Sequence, residues 1–151
     1  MKNLTTFVRT VAAASVFAFV SLAAHAEIVK LHATLKTAWE VPAKEGSGHG
    51  KVTATFDTDT NLFTYHIEYS DLSGPAVAAH FHGPATETTN AKPQVFIKAN
   101  PIASPIASPI DGTATLTPEQ AKDLLDEKWY FNVHTAANPG GEIRGQIEKV
   151  K

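Results

Sequence analysis

Between residues 29 and 69 the apolar side chains fall on every second position. Val29, Leu31, Ala33 and Leu35 alternate with Lys30, His32, Thr34 and Lys36. Val52, Ala54 and Phe56 alternate with Thr53 and Thr55, and Phe63, Tyr65, Ile67 and Tyr69 with Thr64, His66 and Glu68. A period of two is that of a strand with one face on a core, and a helix would scatter the same side chains around its axis. The breaks have turn composition: Glu40-Val41-Pro42 and Lys44 to Gly50, then Asp57 to Asn61, then Ser70 to Pro75. Asp57 and Asp59 read as part of a hairpin turn, because the other oxygens of a calcium loop are missing.

The same pattern continues toward the C-terminus. Strands are predicted from Val77 to Phe81, Val95 to Lys98, Gly112 to Leu116, Lys128 to Thr135 and Glu142 to Val150. One helix is predicted, from the capping Thr117 to about Glu127. It has Pro118 at its first position, Gln120 at the capping-box position, and Ala121, Leu124 and Leu125 toward the core. Pro101 to Pro109 repeats a four-residue unit whose prolines exclude a helix, and it reads as a loop insertion. Short strands with turn punctuation and one short helix define the fold class as all-β, an antiparallel Greek-key sandwich or barrel.

Residues 1–26 have the pattern of a secretion signal. Lys2 and Arg9 precede an apolar stretch from Val11 to Ala24, and Ala24-His25-Ala26 offers small residues for cleavage. The apolar stretch is short of the ~20 residues that span a bilayer. Residues 27–151 then form the domain, and a periplasmic or secreted location is expected, with no membrane anchor in the mature form. Thirteen basic and 15 acidic residues become 11 and 15 without Lys2 and Arg9, a net charge of −4. That balance argues against nucleic acid as a partner. The chain contains no cysteine, which excludes disulfides, thiolate metal sites, iron–sulfur clusters and cysteine nucleophiles.

Two short motifs about fifty residues apart carry chemistry: Ala79-His80-Phe81-His82-Gly83-Pro84-Ala85 and Asn132-Val133-His134-Thr135. On a strand His80 and His82 share a face and Phe81 takes the other. By the same alternation Phe131 and Val133 point inward, and Tyr130, Asn132 and His134 outward. If the strands are neighbours, three imidazoles converge outside the core and suit copper or zinc. Exposed histidines that bond carbonyls or stabilise turns are the plain alternative. An all-imidazole set favours copper by affinity order, and zinc remains open as three histidines and a water. A hydrolytic zinc site would need a carboxylate base, and only Glu142 lies near a motif. His49, between glycines, is a candidate fourth ligand. His32 and His66 read as solvated, Trp39 and Trp129 as packing residues, and Tyr130 and Asn132 as groups able to orient an imidazole. The chain has no nucleophile elbow, phosphate loop, metalloprotease motif or dinucleotide fingerprint.

The motifs and their surroundings resemble the CHRD domain family, named for its occurrence in chordin and found in exported bacterial proteins. The matching pieces are Glu40-Val41-Pro42, Leu72-Ser73-Gly74-Pro75, the first histidine motif, Leu116 to Gln120, and Trp129 to Gln146. A weaker resemblance joins the order His80, His82, His134, Arg144 to the copper-zinc superoxide dismutases. It implies that the three histidines are copper ligands and that Arg144 guides an anion. The chain lacks the dismutases' disulfide, long zinc loop and bridging histidine, so a zinc subsite is not expected and dismutase activity is in doubt. A surface ion pair with Glu142 or Glu148 is the alternative for Arg144. The expected function is copper binding or sequestration outside the cytoplasm, with a possible redox role. The competing reading is a non-catalytic module that binds a protein partner or matrix, as the resemblance to chordin permits.

Overall fold

A computed structural model describes residues 27–97 and 105–151. The proposed signal segment, residue 98 and the first half of the proline repeat lie outside the described residues. The strands are β1 (Ile28–Lys36), β2 (His49–Asp57), β3 (Leu62–Ser70), β4 (Ala76–His82), β5 (Pro93–Phe96), β6 (Ile110–Thr115), β7 (Tyr130–Thr135), β8 (Ile143–Gln146) and β9 (Glu148–Lys149). A one-turn 3-10 helix at Thr37–Trp39 and the helix α1 (Pro118–Leu125) complete the described elements.

All pairings are antiparallel, and the strands form one sheet in the order β5-β4-β7-β8-β1-β2-β3-β6, with β9 paired to β1. The neighbours β8–β1, β3–β6 and β4–β7 are distant in sequence, which gives the long return connections of a Greek key. The Ile106 N–H donates to Ala76 O, so the approach to β6 docks on β4 and the sheet nearly closes into a barrel. All-β with one short α-helix is therefore the fold observed.

The alternating residues fill the interior. Leu31 and Leu35, Val52 and Phe56, Phe63 and Ile67, Phe81, Phe131, Val133 and Ile143 are all essentially inaccessible. Phe81 is the hub, packing on Phe131 at 4.7 Å and edge-on to Phe63 at 5.0 Å between ring centroids. Trp129 closes one end against both Phe63 and Phe81, while Trp39 is exposed on the 3-10 turn. Helix α1 starts on the expected capping box: Gln120 N–H donates to Thr117 Oγ1, and Thr117 N–H to Gln120 Oε1. Ala121 and Leu124 are buried, and Leu125 packs at the core edge.

Two local expectations change. The final strand is not continuous to Val150: Ile147 interrupts it, buried, with its N–H turned to Trp129 O, and β9 follows on β1. His49 and Gly50 belong to β2 instead of the preceding turn.

Candidate metal centre

β4 and β7 are paired so that Ala78 faces His134, His80 faces Asn132 and His82 faces Tyr130. β8 extends the ladder, with Asn132 opposite Arg144 and Tyr130 opposite Gln146. The outward face of three adjacent strands thus carries His80, His82, Tyr130, Asn132, His134, Arg144 and Gln146 side by side. The register is fixed by the inward Phe81, Phe131 and Val133, since a slip of one residue would reverse every side chain.

Although this face points away from the core, it is not open to solvent. His82 and His134 are buried, His80 is half-buried, and every residue of β7 is buried. The cover is the loop at 83–92 together with the turn at 37–43. The loop is tied down by Tyr130, Arg144 and Gln146. The Tyr130 hydroxyl accepts from Ala91 N–H, and Gln146 Nε2 donates to Ala85 O. Asn90 Nδ2 donates to Val41 O, which joins the loop to the turn.

The three histidines do converge: one ring nitrogen from each lies within 4.8 Å of the others. His80 Nδ1 is 3.1 Å from His134 Nε2. His134 Nδ1–H donates to Pro139 O at 2.9 Å, which leaves its lone pair on Nε2. Pro139 is held in turn by the 135–142 turn, in which Asn138 N–H donates to Thr135 O and Gly141 N–H to Asn138 O. His82 Nδ1–H donates to Ala91 O at 2.9 Å, so its lone pair is also on Nε2, 3.0 Å from Asn132 Oδ1. A neutral imidazole has one N–H for these two acceptors. The mismatch is relieved when the ring gains a proton, when the Asn132 amide turns its Nδ2–H toward the lone pair, or when Asn132 moves aside and a cation takes it.

Protonation is disfavoured at all three rings. Burial, with the neighbouring His134 and His82, pushes His80 down to about 4. Burial lowers His82 against the pull of its hydrogen bonds to Ala91 and Asn132, with the charges of His134 and Arg144 adding to the lowering. Burial also lowers His134 against its bond to Pro139. The centre is therefore a set of neutral imidazoles near pH 7, the protonation state that a metal requires of its ligands. Three nitrogen donors and no carboxylate in the cluster suit copper or zinc and fit poorly with calcium or magnesium.

Glu142, the carboxylate nearest a motif, is engaged elsewhere. It accepts from Ser73 N–H, Ser73 Oγ, Thr135 Oγ1 and Asn138 Nδ2, and these bonds outweigh burial and hold it below the usual carboxylate range. It anchors the turn that aims His134 and is not free as a base. His49 lies apart from the cluster, bonded to Ser47 O and Ser70 Oγ, so it is not a fourth ligand here. His66 bonds Asp111 on the outer face of β3, where burial is slight.

Arg144 is neither on the surface nor ion-paired to Glu142 or Glu148. It is buried, with its guanidinium 3.5 Å from the centroid of Tyr130, and it donates to Asn90 Oδ1, Thr86 O and Thr89 O. Tyr130 stacks parallel on His82 at 4.7 Å, so Arg144 is one ring away from the centre. Its role in the fold is to fasten the 86–90 loop. Sequence reasoning passed over Glu40 as a site residue. Glu40 is buried and accepts from Asn132 Nδ2 at 3.3 Å, so a carboxylate backs the amide that meets His82. Burial raises its pKa, opposed by Asn132 and by the Arg144 charge. Its only signal was its place in the Glu40-Val41-Pro42 piece.

An antiparallel β domain with three imidazoles on one sheet face, aimed by backbone carbonyls, defines a β-domain class with a histidine centre. The chain belongs to the CHRD family: the model described as CHRD domain matches residues 31–147, both histidine motifs included. Such domains occur in extracellular proteins. No curated protein and no solved structure matches the chain. The likeness to the dismutases therefore rests on the order of the histidines and Arg144 alone. Among the described residues no helix is long and apolar enough to cross a membrane.

Proposed function

We propose that this is an exported CHRD domain that binds one copper ion through one ring nitrogen of His80, His82 Nε2 and His134 Nε2, for copper binding or sequestration outside the cytoplasm. The observation that carries the reading is the convergence of three ligand nitrogens within 4.8 Å, with two of the rings fixed in tautomer by Ala91 O and Pro139 O. Fixing the distal N–H of a ligand histidine on a carbonyl is how proteins orient a metal-binding imidazole. Copper leads zinc by the affinity order of nitrogen donors. Bound copper would supply a Lewis-acidic, redox-active centre. Ala91 O would position His82, and Tyr130 would pack its ring face.

Fast turnover on superoxide is not part of the proposal. An anion-guiding arginine needs free donors facing the open coordination position, and Arg144 directs three of its donors to the 86–90 loop. The test is metal analysis of protein purified from the periplasm, followed by copper titration of the metal-free form. One equivalent bound by the native chain, and lost in His80→Ala and His134→Ala variants that stay folded, is the expected result. A metal-free protein that takes up no copper, with its histidine variants equally stable, would favour the alternative of a non-catalytic protein- or matrix-binding module.

A further inference from the structure

A second site lies beside the histidine centre. A groove of about 620 Å³ runs between the 37–43 turn and β8, within the usual range of small-molecule pockets. One wall is the Trp39 indole with Val41 and Pro42, and Glu40 and Arg144 reach the groove from below. Glu87 and Glu148 are exposed at the rim. Trp39 is 45 % exposed, whereas Trp129 is wholly buried. An open indole on the wall of a concavity offers a ligand a flat apolar face.

The charges select the ligand. Glu87 and Glu148 give the rim two exposed carboxylates, while the buried Glu40 and Arg144 oppose each other in charge and the guanidinium already donates to Thr86, Thr89 and Asn90. The indole already draws one cation, the Lys36 ammonium at 4.7 Å from its ring centroid, and Lys36 is not among the residues that line the groove. We propose that this groove binds a small organic cation, a protonated amine on a flat or short aliphatic body. The body lies against Trp39 and Pro42, and the ammonium is drawn to Glu87 and Glu148.

The site is independent of copper, so the test uses chelator-treated, metal-free protein. The two indole N–H signals, from Trp39 and Trp129, are followed by nitrogen-edited NMR during titration with phenethylamine, with phenethyl alcohol and with 3-phenylpropionate. The expected result is a saturable shift of the Trp39 signal with the amine and an unmoved Trp129. The alcohol should bind at least about tenfold more weakly, and added salt should weaken the amine as it screens the carboxylates. The paired variant Glu87→Gln with Glu148→Gln changes only exposed side chains and should bring the amine to the level of the alcohol. Trp39→Ala should abolish binding of both. Equal binding of amine and alcohol, preference for the carboxylate, or an unmoved Trp39 signal would overturn the proposal.

Discussion

His80 Nδ1 and His134 Nε2 face each other at 3.1 Å across two neighbouring strands, although 54 residues separate them along the chain. This distance is within the ~4 Å that two nitrogens around a single ion at ~2.0–2.1 Å can span. The two atoms are close before any metal arrives, so little backbone movement is required to bind one.

Because the unfolded chain cannot hold these nitrogens together, copper should bind the native state preferentially and raise the melting temperature. At a free concentration a hundred times Kd the stabilisation is about 2.7 kcal/mol. Calorimetric scans with and without copper check this, and His134→Ala should remove the increment. An equal increment in the variant would mean that copper binds elsewhere.

The metal-free protein should lose stability as the pH falls. His80 has a folded pKa of about 4 against an ordinary 6.5, and His82 and His134 are lowered too. The unfolded chain therefore takes up protons first, below about pH 6.5. The stability held by neutral histidines is complete above that value and is lost progressively toward pH 4. Copper affinity should persist to lower pH than for free imidazole and fall as the pH approaches 4. Denaturant midpoints measured between pH 7 and 4 test the first statement; a flat series would show that the rings are not buried neutral.

Arg144 should be intolerant of lysine. The guanidinium makes three hydrogen bonds to the 86–90 loop and lies on Tyr130, and an ammonium cannot reproduce that fork or the stacking. Arg144→Lys should destabilise the domain by about 1–3 kcal/mol, the usual penalty for unsatisfied buried groups. It should also speed amide exchange across residues 86–91. Unchanged exchange there would mean that the loop is held by Gln146 and Tyr130 alone.

Phe131→Ala removes a ring packed on Phe81 in the centre of the barrel and should cost about 3–5 kcal/mol. A loss below about 1 kcal/mol by chemical denaturation would contradict the register that sends the histidines outward.

Gly141 has φ +124° at the end of the 138–141 turn, and a Cβ there would strike the Glu40 carboxylate and the Asn132 amide. Gly141→Ala is expected to weaken copper binding as well as stability, since it disturbs both the turn that aims His134 and the pair behind His82. A variant that keeps full affinity would show that neither support matters to the centre.

Period-two alternation made β1, β2, β3 and the inward half of β4 and β7 legible from the sequence, and the capping box did the same for α1. Burial of the histidine face was not legible, because its cover is the loop at 83–92. That loop has no periodic pattern and is held by side-chain bonds from Arg144, Gln146 and Tyr130. Glu40 and Arg144 look like surface charges in sequence, and only the tertiary arrangement reveals them as buried. The break at Ile147 was hidden for a related reason. Ile143, Gly145 and Ile147 keep strict alternation, while the hydrogen bond to Trp129 O that diverts the strand has no local signature.

A domain without cysteine has no disulfide to cross-link it. An ion seated between His80 and His134 would close a loop across the 54 residues between them, joining β4 to β7 by coordination instead of sulfur. Such a clasp yields to chelators and acid. The toughness of the domain would then follow the supply of metal.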